Sequence, residues 1–142
     1  MVNQILAGGA TSLVHLVIHA LLIGALVVFL INMSGRSPGT PRFLNYTVVI
    51  VVTGSVLLVG HFVEVLLWAY TYAAVEAAPP GTDLVYFAFG NYTTLGYGDV
   101  LPLEQWRLLG PMTALNGIML IGWSTALIFA ILRRAVPQAE KR

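Results

Sequence analysis

Three apolar stretches, 13–31, 47–72 and 108–132, decide what this chain can fold into, because each is long enough to cross a bilayer as a helix. Between the second and third lies 75–107, which is too short and too interrupted to cross and must leave the membrane on the side where it enters. The composition agrees: 58% of the residues are hydrophobic and 9% charged, against about 25% charged in soluble domains. The expected fold is an all-α membrane protein of three transmembrane helices, with a short re-entrant helix and loop. A formal charge of +1 implies no nucleic-acid partner, and zero cysteines exclude disulfides and thiol chemistry.

The re-entrant stretch carries the chemistry. Pro79-Pro80-Gly81 turns the chain, and Thr82 or Asp83 is placed to cap a helix over 84–93 with aromatics Tyr86, Phe87, Phe89 and Tyr92. Its carboxyl end points into the membrane, where the helix dipole favours a cation. Thr94-Leu95-Gly96-Tyr97-Gly98 and Asp99 follow. Stripping a cation of water takes consecutive backbone carbonyls aimed at one axis, which requires residues alternating between right- and left-handed backbone. Left-handed positions favour glycine, and Gly96 and Gly98 fall at every second position. Leu95 and Tyr97 are then expected to point back into the protein, with the Thr94 hydroxyl at the inner end. Irregular backbone at this depth is tolerated only against protein or a water-filled cavity, which argues for a pore.

The strip differs from the Thr-Val-Gly-Tyr-Gly filter of potassium channels only at Leu95. Residues 84–132 resemble the pore helix, filter and inner helix of the two-transmembrane potassium-channel core, and 47–72 fits the outer helix by length and position. Trp106-Arg107-Leu108-Leu109-Gly110, and Asn116-Gly117 through Gly122-Trp123-Ser124-Thr125, resemble small prokaryotic ion-channel-domain proteins with one additional leading helix.

That resemblance implies a passive, potassium-selective channel in the plasma (inner) membrane of a prokaryote, with K+ as permeant ion and no cofactor. Thr94, Leu95, Gly96, Tyr97 and Gly98 would bind the ion and Asp99 would shape the outer mouth. One strip per chain against four per filter implies a homotetramer. Gly117 and Gly122 resemble inner-helix bend points, although glycine in a membrane helix is also a close-packing residue. Ile118, Ile121 and Thr125 would face the cavity, with Phe129 near the cytoplasmic end. Two departures stand out. Leu95 replaces a β-branched valine, and Gly90 occupies a position where some relatives have a glutamate paired with the filter aspartate, leaving Asp99 to Tyr86 or to water.

The resulting division is a leading helix in 1–34, a linker in 35–46, a pore domain in 47–134 and a tail in 135–142. Arg36 and Arg42 in or beside the linker, and Arg133, Arg134, Lys141 and Arg142 at the carboxyl end, are expected on the cytoplasmic side. Glu76, Asp83, Asp99 and Glu104, with Arg107 the one basic residue among them, fall on the other. The amino terminus and the mouth are therefore expected outside. The first stretch lacks the basic start of a signal peptide and is kept as a mature helix. No basic residue lies in the first two apolar stretches, which argues against a voltage sensor. Ten residues follow Leu132, too few for a ligand-binding domain.

Polar residues inside the apolar stretches form a second set. His15 and His19 are four apart, and His61 and Glu64 three apart with Trp68 on the same side. No ligand-spacing motif marks a metal site, and no nucleophile or metal constellation suggests an enzyme. Glu64, His19 and Asn116 each lie eight residues from an outer helix end and are expected in one layer, with Glu64 facing His19, or Asn91 or Tyr92 of the re-entrant helix. Helix-to-helix glue is the favoured role and proton sensing the alternative. The reading from another class is a non-conducting, ion-sensing or scaffold subunit of a larger membrane assembly.

Overall fold

A computed structural model describes residues 1–34 and 42–135. The linker residues 35–41 and the tail 136–142, with Arg36, Lys141 and Arg142, lie outside the described residues. The elements run α1 (Val2–Ser34), α2 (Arg42–Ala74), α3 (Leu84–Tyr92), a single 3-10 turn (Glu104–Trp106) and α4 (Leu109–Ala135). Three helices are long and apolar enough to cross a membrane. Leu, Val, Ile and Ala runs without an internal proline let α1 and α2 satisfy their backbone internally, as a bilayer demands. Pro111 sits in the first turn of α4, where a missing N–H costs nothing.

The helices outrun the apolar stretches. At 33 residues each, α1 and α2 are about 50 Å long at 1.5 Å per residue, against a hydrocarbon core of about 30 Å. At one end of the bundle the Leu108 N–H donates to Gln4 Oε1 at 2.8 Å, the Leu103 N–H donates to Ala77 O at 2.8 Å, and Thr11 and Thr71 hydroxyls meet at 3.2 Å. That end gathers the start of α1, the end of α2 and the start of α4. At the other end Leu26, Leu30 and Leu57 pack with Leu127, Ile128 and Ile131.

Helix α3 is wedged between α2 and α4. Val65, Trp68, Tyr72, Phe87, Tyr92 and Leu109 make the main core, with Tyr72 and Phe87 rings 4.9 Å apart. Glycine makes one approach possible: a Cβ on Gly117 would run into the Tyr92 carbonyl, so α4 passes the carboxyl end of α3 closer than any other residue permits.

Candidate functional site: a strip of alternating handedness and a buried polar cluster

Asp83, not Thr82, is the cap of α3. Its carboxylate accepts from the N–H groups of Val85 and Tyr86 at 3.0 and 3.1 Å, and Gly81 at φ 84° makes the turn before it. The helix ends at Tyr92, one residue short of the expected 93, and Thr93 caps it. The Thr94 N–H then bonds Asn91 O at 3.0 Å and the Leu95 N–H bonds Gly90 O at 2.9 Å, fastening the strip to the helix end.

Along the strip, Thr94, Gly96 and Gly98 have φ of 60°, 58° and 78°. Every second residue is therefore left-handed, the pattern that Gly96 and Gly98 announce. Thr94 was not legible as a left-handed position, since a threonine there costs about 1–2 kcal/mol. Its amide bond to Asn91 O is what holds it there.

The strip is bare within its own chain. Leu95 is 52% and Tyr97 73% exposed, so within one chain both side chains are only partly covered. Among the described residues, α3 and α4 meet at Tyr92 and Gly117, at the start of the strip and not over it. At the outer end the Tyr86 hydroxyl donates to Asp99 Oδ2 at 2.8 Å, supplying the partner that Gly90 does not. That bond, followed by lesser burial and the charges of Asp99 and Tyr97, raises the Tyr86 pKa above the ordinary tyrosine value.

Behind the strip lies a closed polar cluster. Glu64 is fully buried. A carboxylate only accepts, so Glu64 Oε1 receives the His19 Nδ1–H at 2.8 Å, and Oε2 receives the Tyr92 hydroxyl at 2.5 Å and the His61 Nδ1–H at 3.0 Å. Ser124 Oγ meets His19 Nε2 at 3.2 Å and His61 Nε2 at 3.0 Å. His15 lies one turn away, bonded to Glu64 O at 2.8 Å and stacked on Trp68. Three helices thus meet on one carboxylate, with α4 joined through Ser124, offsetting the roughly 2.5–3.5 kcal/mol that an ionisable group costs at the centre of a membrane helix. His19, His61 and Glu64 also bring potential metal-ligand atoms within 4.8 Å of one another. Sequence spacing does not display that grouping, because it is assembled across two helices.

Asn116 is not in this layer. It accepts from the Trp68 indole at 3.0 Å, one turn outward, and Ser124 takes its expected place. The cause is an axial offset. The Gln4–Leu108 bond sets α1 and α4 level at those residues. His19 follows Gln4 by 15 positions and Ser124 follows Leu108 by 16, or roughly 23 Å along either helix. Leu108 thus stands level with Gln4 and not with Thr11, which meets Thr71 of α2.

On α4, Thr113, Asn116, Gly117, Leu120 and Ser124 are buried, while Ile118, Ile121, Gly122, Thr125 and Phe129 share the exposed side. Gly122 has open space beside it, whereas Gly117 is committed to the contact with Tyr92.

No curated protein and no solved structure matches the chain. A family model described as ion channel matches residues 58–134, which takes in the end of α2, all of α3, the strip and most of α4, and leaves α1 outside. A strip of alternating handedness carried on a re-entrant helix, within a match that covers more than half of its residues, makes this chain a member of that ion channel family.

Proposed function

We propose that the chain is the subunit of a passive, potassium-selective channel in which four copies surround one axis. The observation that carries this reading is the left-handed alternation at Thr94, Gly96 and Gly98, which lets successive carbonyls from Thr94 to Gly98 serve as a substitute hydration shell. The bare strip supports the assembly: Leu95 and Tyr97 lack cover in their own chain, and neighbouring subunits supply it in a closed ring. Asp99, held by Tyr86, shapes the outer mouth. Ile118, Ile121 and Thr125 line the cavity, and Phe129 narrows its far end. The acidic mouth faces outward and the basic residues of the linker and tail face the cytoplasm of a prokaryotic cell. Conduction makes and breaks no covalent bond and needs no cofactor.

Flux through proteoliposomes holding the purified chain alone tests the proposal. Potassium should pass in large preference to sodium, and native mass spectrometry should give four times 15.3 kDa. Equal permeation of the two ions defeats the selectivity reading, tight vesicles favour a scaffold subunit, and a conducting dimer requires another pore.

A further inference from the structure

The polar cluster has proton positions that three neutral histidines do not fill. The ring nitrogens of His15 face two backbone carbonyls, Thr11 O at 2.7 Å and Glu64 O at 2.8 Å. Carbonyls only accept, so both contacts are hydrogen bonds only when both nitrogens carry hydrogen and the ring is a cation. Its stacking on Trp68, with centroids 5.5 Å apart and planes at 23°, suits a cation over an indole face.

A second gap lies at Ser124. The Nδ1 atoms of His19 and His61 both donate to Glu64, His61 also standing 2.9 Å from the Tyr92 hydroxyl. In the neutral rings both Nε2 atoms are therefore lone pairs, and both converge on one hydroxyl, at 3.2 and 3.0 Å. One hydroxyl has one hydrogen. It satisfies one ring and sets lone pair against lone pair at the other, an unmatched contact that is fully buried at His19 and partly buried at His61. A proton on either Nε2 closes the set, because Ser124 then accepts from one ring and donates to the other.

We propose that His19, Ser124 and His61 form a proton-binding site whose occupancy couples the leading helix α1 to the foot of the strip. The groups facing it are His15 and His19 from α1, His61 and Glu64 from α2, Tyr92 from α3, and Ser124 with the Trp123 ring from α4. Occupied, the bridge ties α4 to both α1 and α2. Empty, it gives up one of those ties beside Tyr92, which bonds Glu64 two positions before Thr94. Histidine ordinarily changes charge between about pH 5 and 8, so the tie responds to acidity.

The coupling to conduction rests on the channel reading, and the proton site does not. Nitrogen-15 magnetic resonance of the histidine-labelled full chain in bilayers, titrated from pH 4 to 9, should show one of His19 and His61 gaining a second ring proton on acidification. Ser124→Ala should remove the step at the bridge and leave His15 as it is. Potassium flux should change about fivefold or more across the step, the lower end of typical couplings between sites, and lose that dependence in Ser124→Ala. Singly protonated His19 and His61 throughout, or an unchanged step in the variant, overturns the site. A resonance step with pH-independent flux overturns the coupling. Absence of flux at every pH defeats the channel reading, and resonance still decides the site.

Discussion

The strip and the cluster behind it place polar groups at similar depth and solve opposite problems. In the cluster, every heavy polar atom of Glu64, His19, His61 and Ser124 finds a partner within the same chain. In the strip, Leu95, Tyr97 and the backbone around them are left open. A chain able to bury Glu64 completely leaves these six residues open, as the proposed ring of four copies around an ion requires. Tyr92 joins the two regions, ending α3 on one side and bonding Glu64 on the other.

The comparison breaks most directly at Gly96. Alanine there puts a β-carbon on a residue at φ 58°, costing about 1–2 kcal/mol in each subunit. Potassium flux should fall at least tenfold while the cluster, read by its histidine resonances, is undisturbed. Full conduction in Gly96→Ala would falsify the backbone argument. Glu64→Leu probes the other region. It strands the donors of His19, His61 and Tyr92, at about 3–5 kcal/mol as for breaking a buried pair, and thermal unfolding in detergent should show a loss of that order. Glu64→Gln keeps an acceptor and should lose about 1–3 kcal/mol. Equal losses for the two variants would mean that charge, not hydrogen bonding, holds the cluster.

Gly117→Ala tests the seam between the regions. Its β-carbon meets the Tyr92 carbonyl, and moving α4 away costs about 1–3 kcal/mol, as overpacking does. The same change at Gly122 has open space and should leave stability as it was. If Gly122→Ala disturbs conduction and Gly117→Ala does not, bending at Gly122 outweighs packing at Gly117.

Much of this arrangement was legible in the residues. Gly96 and Gly98 at every second position announced the alternation, and a glutamate inside an apolar stretch announced partners, found in His19 and Tyr92. What stayed hidden was axial offset. Apolar lengths tell which residues lie in the bilayer but not how far one helix has slid along another, and here the bond between Gln4 and the Leu108 amide, with Tyr72 to Thr113 and His19 to Ser124, fixes that slide. Asn116 was therefore placed where Ser124 stands. Thr94 stayed hidden for a related reason: its left-handed backbone is imposed by the end of α3 and opposes its own propensity.

The smallest effect belongs to the far end of the strip, where Tyr86 holds Asp99 on an exposed surface. An exposed bond is worth little, so Tyr86→Phe should alter potassium flux by about twofold or less. Its signature lies in pH instead. The bond to Asp99 raises the Tyr86 pKa above 10.0, so the folded chain keeps this proton where an unfolded one has lost it. The stabilisation is complete below about pH 10 and disappears as pH climbs through the raised value. Ultraviolet absorbance of the phenolate should show Tyr86 ionising late in the parent and closer to pH 10 in Asp99→Asn, which removes the charge and keeps an acceptor. An unshifted Tyr86 in that variant would mean that Asp99 is held in place by something other than this bond.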